Sequence, residues 1–176
     1  SIQIIIPTGF TFGVVTVTSV QDIIDENDET VLADIIGVTN GTESGVQQAT
    51  TTITDDDVQA LVVFSTGVSV TEGATNTFTV SLAFQPAGDV TVAVSRVSGD
   101  TDLTVSGGGS LTFTSANWNV AQTVTLAAAE DVDTSNGAAV FDVTSGGLTT
   151  VSVTGTEADN DVQSLVVSST AVSVTE

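Results

Sequence analysis

The chain contains no lysine, histidine, cysteine, methionine or tyrosine, and its single basic residue is Arg96. Each absence removes a class of chemistry. Without cysteine there is no disulfide framework. Without cysteine and histidine, zinc sites and the usual nucleophile–base relays have no residues to use. Without lysine, a Lys–Asn isopeptide cross-link cannot form. Aromatic residues make up only 5% of the chain, too few for a cleft that stacks sugars between paired carboxylates, so the chain is read as not an enzyme. No run of ~18 apolar residues occurs, which excludes a membrane-spanning helix. A nascent chain starts with methionine, so a mature product or a piece of something longer is expected.

What is present is acid and aliphatic side chain together. Asp and Glu number 22, the formal net charge is −21, and 40% of the 176 residues are hydrophobic. A disordered acidic tail would be poor in valine and isoleucine, which are abundant here. Nucleic acid and anionic membrane surfaces would repel such a chain, so neither is expected as a partner.

Self-comparison supplies the organisation. Leu61 to Glu72 reads LVVFSTGVSVTE, and Leu165 to Glu176 reads LVVSSTAVSVTE, an offset of 104 residues. The same offset places Asp55-Asp56-Asp57-Val58-Gln59 on Asp159-Asn160-Asp161-Val162-Gln163. A second offset, 109, places Ser1-Ile2 on Ser110-Leu111 and Asp22 on Asp131. The expected division is therefore the back part of one repeat over 1–57, a complete repeat over 58–161, and the first strand of a further repeat over 162–176.

Periodicity within the repeat is that of strands. In Thr77 to Phe84, apolar Phe78, Val80, Leu82 and Phe84 alternate with Thr77, Thr79, Ser81 and Ala83, which puts one face on a core and the other in water. Val90–Ser95, Leu111–Phe113, Thr123–Leu126, Val140–Val143 and Val151–Thr154 repeat the pattern. Turn residues separate them at Pro86-Ala87-Gly88, Gly107-Gly108-Gly109, Asn136-Gly137 and Gly146-Gly147. About seven short strands per ~100 residues suggest an all-β, antiparallel β-sandwich.

The acids cluster at the expected strand ends and loops. Asp22, Asp25, Glu26, Asp28 and Glu29 fall within eight residues, and Asp55, Asp56 and Asp57 are consecutive. Glu130, Asp131 and Asp133 form a third group, Glu157, Asp159 and Asp161 a fourth, and Glu72 and Glu176 end the matching first strands. Loops of a sandwich gather at its two ends, so a strand-end Glu, an acidic loop and a terminal acidic run converge at one pole. Such carboxylates repel unless a cation lies between them. Ca2+ takes six to eight oxygens in irregular geometry, whereas Mg2+ demands a tight octahedron. The alternative is an acidic surface that aids solubility and binds ions only diffusely.

These residues resemble a known family. Thr16 to Val31, the closing Thr51-Thr52-Ile53-Thr54-Asp55-Asp56-Asp57, and the opening Val68-Ser69-Val70-Thr71-Glu72-Gly73 are similar to parts of a Calx-beta domain. The middle repeat resembles a variant found in large bacterial surface proteins, marked by Leu111 to Asn119 and Gln122 to Thr125. The resemblance implies immunoglobulin-like sandwich repeats in tandem, with Ca2+ at the pole between domains. It implies ligands at Glu72, Asp102, Asp131, Asp133, Asp159 and Asp161, at Asp22, Asp25, Glu26, Asp28, Glu29 and Asp55 to Asp57 in the first repeat, and at Glu176 in the third. Thr134-Ser135-Asn136-Gly137 and Asn160 depart from the pattern, so the middle repeat is expected to bind fewer ions or bind them weakly.

Other features have plainer readings beside the functional ones. Trp118 fits the end of a sandwich core better than a sugar platform. Phe10 and Phe12 follow a turn and are either partly buried or contact points for a neighbour. Asn40-Gly41-Thr42 is a formal glycosylation sequon and also a good turn. Arg96 is expected to pair with a carboxylate such as Asp100. The expectation is a Ca2+-stiffened structural repeat of an extracellular or cell-surface stalk, filament or adhesin, whose partners are neighbouring copies of the repeat. One alternative is a filament subunit completed by a strand from the next chain. Another is a module that binds a cell-surface sugar or protein.

Overall fold

The structure is a computed structural model that describes residues 2–45, 47–168, 171 and 173–176. Ser1, one end of the match to Ser110-Leu111, lies outside the described residues, as do Val46 and, within the second copy of the twelve-residue motif, Ser169, Thr170 and Val172. The described part is all-β, and among the described residues no helix is long and apolar enough to cross a membrane. The chain divides into two units, one of Ser1–Ile23 with Asn27–Asp55, the other of Ile24–Glu26 with Asp56–Glu176.

Among its described residues the first unit has a single hairpin. Strands β2 (Glu29–Asp34) and β3 (Gln48–Ile53) pair antiparallel from Glu29 opposite Ile53 to Asp34 opposite Gln48. Asn40, at φ 61°, occupies the left-handed conformation that an Asn-Gly turn favours. Phe10 and Phe12 are exposed.

The second unit is a sandwich of two sheets. It also holds the short strand β1 (Ile24–Asp25), which pairs parallel with β7 (Gln85–Pro86). The remaining strands are β4 (Leu61–Phe64), β5 (Gly67–Thr71), β6 (Thr75–Leu82), β8 (Val90–Gly99), β9 (Leu103–Gly107), β10 (Ser110–Phe113), β11 (Gln122–Ala128), β12 (Ala138–Thr144) and β13 (Val151–Ala158). One sheet has the order β10-β8-β12-β13-β5 and the other β4-β6-β11-β9. Alternation decides which residues meet between them. Phe78, Val80 and Leu82 of β6 are buried with Val124 and Leu126 of β11, and so are Phe141 and Val143 of β12 and Val153 of β13. Trp118 is half-buried and packs against this core.

The ladders are antiparallel with two exceptions, β1 with β7 and β5 with β13. The second has a local cause. After β4 the chain takes Ser65 through φ 74°, with the Ser65 hydroxyl donating to the Gly67 carbonyl at 2.6 Å. It keeps its direction but changes sheet, leaving β6 and joining β13. One sequence motif therefore supplies an edge strand to each sheet. Gly155, on the inward face of β13, lies under the Phe141 ring, which a Cβ would meet at 3.0 Å. A side chain there would have to push the ring aside by a few tenths of an ångström, and glycine leaves the ring that room.

Candidate cation site

The acidic pole of the second unit is built where strands end. β5 delivers Glu72, which is buried at 4% exposure. The Glu72 amide donates to the Ala158 carbonyl at 3.0 Å, tying it to the end of β13. β11 ends before Glu130, and the next residue, Asp131, donates its amide to Glu72 Oε1 at 2.5 Å. β13 ends at Ala158, and the Asn160 amide reaches Glu72 Oε2 at 3.4 Å while its side-chain Nδ2 donates to the Glu72 carbonyl at 3.2 Å. Glu72 is thus fixed by two loops, and each of its oxygens already accepts a backbone N–H.

A bulge brings in a fourth segment. In the β8–β12 ladder Val140 faces Ser98 but Phe141 faces Arg96, so Val97 is the extra residue. The extra twist, followed by Gly99 at φ 88°, turns the chain so that Asp100 and Asp102 lie at this pole. Asp100 donates its amide to the Ala138 carbonyl at 2.8 Å, and its Oδ1 accepts the Asp102 amide at 3.0 Å. A Cβ on Gly137 would collide with Asp100 Oδ2 and lie 2.8 Å from Glu157 Oε2, so glycine here leaves room for two carboxylates.

Glu157 lies at the centre of this group. It stands on the inward side of β13, one alternation beyond Val153 and Gly155, at 5% exposure. Its Oε1 is buried with no hydrogen-bond partner, and so is Asp161 Oδ2. Burial pushes the Glu157 carboxyl above its ordinary range, and the charges of Asp100, Asp131, Glu72 and Asp102 push it further. A buried carboxylate among carboxylates is costly unless positive charge compensates it. Arg96 does not supply that charge directly. Its Nη1 donates to the carbonyls of Gly99 at 3.1 Å and Asp100 at 2.9 Å rather than to a carboxylate.

One carboxylate oxygen each from Glu72, Asp131 and Asp161 lie within 4.8 Å of one another. Oxygens that share a Ca2+ at about 2.3–2.6 Å are at most about 5 Å apart, so this spacing suits one ion. Among the described residues only one other such group occurs, Asp55, Asp56 and Asp57, three consecutive residues. Asp55 also takes part in the first unit, where its amide donates to Asp28 Oδ1 at 3.0 Å.

The remaining sequence candidates are placed as follows. Asp102 and Asp159 are half-buried and Asp133 is exposed. Asp159 Oδ1 accepts the Asp161 amide at 2.9 Å, and Asp133 Oδ1 accepts the Ser135 amide at 2.6 Å, so both support turns. Asp25, in β1, accepts the Gln59 amide at 3.4 Å. Asp22, Glu26, Asp28, Glu29, Asp56 and Glu176 are exposed, and Asp57 is buried. Asp100 and Glu157 are not among the ligands that the resemblance implies, although Glu157 belongs to the fourth acidic group. Glu157 carried a signal, an acid at the inward position of an otherwise apolar alternation. Asp100 carried none beyond its spacing from Asp102. Asn160, which stands where the first repeat has an acid, donates two hydrogen bonds to Glu72.

No known protein family matches the chain, and no curated protein matches it either. Among solved structures the chain is similar to the periplasmic chaperone SfaE, at 11% identity and a TM-score of 0.43, over 61% of this chain and 59% of that one.

Proposed function

We propose that this chain is a stretch of Calx-beta-like sandwich repeats from an extracellular stalk, filament or adhesin, and that its acidic poles take up Ca2+ to stiffen the array. The reading divides the chain into the back of one repeat, a complete repeat over 58–161 and the opening of another. The observation that carries it is Glu157 Oε1, buried and without a hydrogen-bond partner among Glu72, Asp100, Asp102 and Asp131. A hard cation supplies what that oxygen lacks, and all-oxygen ligation at an irregular pole favours Ca2+ over Mg2+. Glu72, Asp131 and Asp161 would hold the ion directly, with Glu157, Asp100 and Asp102 adding negative charge at the same pole. Ligands drawn from the ends of β5, β11 and β13 would lock those segments together.

Calorimetric titration of chelator-treated protein tests this. Ca2+ should bind and raise the melting temperature, by the equivalent of about 2.7 kcal/mol at a free concentration 100 times Kd. EDTA should reverse the rise, and Mg2+ should produce less of it. A melting temperature indifferent to both Ca2+ and EDTA sinks the proposal.

A second reading is favoured by a different observation. Leu165 and Val167, which follow the sandwich, are exposed although they match Leu61, which is buried in it, and Val63, which packs against its core. In that reading, copies of the chain assemble by strand complementation.

A further inference from the structure

The two sheets of the sandwich end in four edge strands, β10, β5, β9 and β4. An edge can take up a further strand unless something blunts it. Three of the four are blunted. On β10 the outward Thr112 carbonyl accepts Gln122 Nε2 at 2.7 Å and Asn117 Nδ2 at 3.4 Å. On β5 the Ser69 carbonyl accepts Asn76 Nδ2 at 2.8 Å, and the Gly67 carbonyl accepts the Ser65 hydroxyl at 2.6 Å. On β9 the ladder to β11 slips, with Thr125 facing Gly107 and Leu126 facing Val105, so Ser106 bulges out.

β4 has no such device. Ala60 turns its carbonyl to β6, where it accepts the Ala83 amide at 3.0 Å. Direction alternates along an antiparallel ladder, so Val62 and Phe64 also turn their backbone to β6, while Leu61 and Val63 turn N–H and C=O to the free edge. Among the described residues no strand or side chain takes those groups. The side chains beside this edge are apolar too. Val62 is 46% exposed and Phe64 79%, and their cross-strand neighbours Ser81 and Thr79 carry no charge. The second copy of the motif has Ser168 in place of Phe64.

We propose that β4 is an association edge at which two copies of the chain pair antiparallel about a twofold axis through Val62. The register follows from the strand. Core-facing Leu61 and Val63 must align with core-facing residues, and solvent-facing Val62 and Phe64 with solvent-facing ones. An axis through Val62 sets Leu61 opposite Val63 of the second copy and Val63 opposite its Leu61, which satisfies both residues' outward N–H and C=O. An axis through Val63 would set Leu61 opposite Ser65, where φ of 74° ends the strand. With the axis at Val62, Phe64 falls opposite the exposed Ala60 of the second copy, whose small side chain leaves room for the ring. The occupant is a second copy because this edge is its own complement. It also lacks charge, which two chains of formal charge −21 need where they meet. The contact is isologous and closes as a dimer. It is small, so a dissociation constant on the order of 0.1 mM is expected. It belongs wholly to the sandwich and rests on neither reading of the function above.

Sedimentation velocity of the whole chain from ~1 μM to ~1 mM, in about 0.15 M NaCl with EDTA, screens the charge and keeps divalent ions out. A monomer–dimer equilibrium is expected. Val62→Asp sets two carboxylates opposite each other on the axis and should weaken the dimer at least about tenfold. Phe64→Ser should weaken it about threefold. Circular dichroism should be unchanged in both, because both side chains are exposed. The cysteine-free sequence lets one substitution report the axis. Residues opposite each other in a non-hydrogen-bonded antiparallel pair have Cα atoms about 4.5 Å apart, within disulfide reach. In a glutathione buffer Val62→Cys should therefore give about tenfold more disulfide dimer than Val120→Cys, at a position of similar exposure. Monomer at every concentration, or a dimer without the Val62 selectivity, overturns the proposal. Oligomers that grow past the dimer and ignore Val62→Asp also overturn it, and they belong to strand complementation.

Discussion

The two units are written in the same valine, threonine and isoleucine, yet they bury it differently. Every fully buried aliphatic or aromatic side chain among the described residues, from Leu61 to Val153, belongs to the second unit. The first unit has only half-buried positions such as Val31, Ala33 and Ile53, and its Leu32 is 59% exposed. Alternation gives each strand an apolar face, but that face becomes core only when a second sheet covers it. The strands of the sandwich lie in two sheets that share one core, whereas β2 and β3 form a two-stranded sheet, which by itself is marginal in water. The acids follow the same rule. Asp22 and Glu29 of the first unit are exposed, whereas the sandwich holds Glu72 and Glu157 inside.

Truncation should break this comparison most visibly. Phe141→Ala removes a fully buried ring and should cost about 3–5 kcal/mol. Leu32→Ala, on the exposed hairpin, should change stability by under about 0.5 kcal/mol. Urea titrations followed by Trp118 fluorescence report on the second unit, because that ring packs on its core. Comparable losses from the two substitutions would erase the distinction drawn here.

A smaller effect separates the two sets of acids. Glu72→Gln should weaken Ca2+ binding at least about tenfold, since Glu72 both faces the proposed ion and anchors the Asp131 and Asn160 loops. Asp22→Asn should leave the calorimetric isotherm within about twofold of the parent. Equal effects would mean that the chain binds ions diffusely through its net charge.

The smallest effect is a pH dependence of the metal-free protein. Glu157 is raised in the folded state by burial first and then by neighbouring carboxylates, so the folded chain holds that proton more tightly than the unfolded one. Its contribution to stability is fully present below the unfolded value, near pH 4.3, and is lost as pH rises through the folded value. Melting temperature should therefore fall over this interval, and Glu157→Gln should flatten the fall. At neutral pH the substitution should stabilise the metal-free protein by on the order of 1 kcal/mol. A Glu157→Gln profile parallel to the parent's would remove Glu157 as its cause.

Much of the sandwich was legible because burial follows a local pattern. Phe78, Val80 and Leu82 alternate with threonine and serine, and all three are in the core. Glu72 and Asp131 stood out as acids at strand ends. The change of sheet at Ser65 did not stand out, since it depends on one left-handed residue and on which strand lies alongside. Nor did the pairing of Arg96 with carbonyls, which follows from the Val97 bulge.

The sequence by itself determined the strand periodicity, the internal repeat, the excess of acid and the absence of any thiol, imidazole or amine side chain to offset it. These are properties of neighbouring residues and of composition. Tertiary structure decided which acids share a pole. Asp100 and Glu157 are 57 residues apart in the chain, and both meet a Cβ placed on Gly137. The pairing of β8 and β13 on either side of β12, within one sheet, brings them together: Asp100 and Glu157 donate their amides to the Ala138 and Gly137 carbonyls at the start of β12. Desolvation then turns a surplus of surface charge into a local demand for a cation.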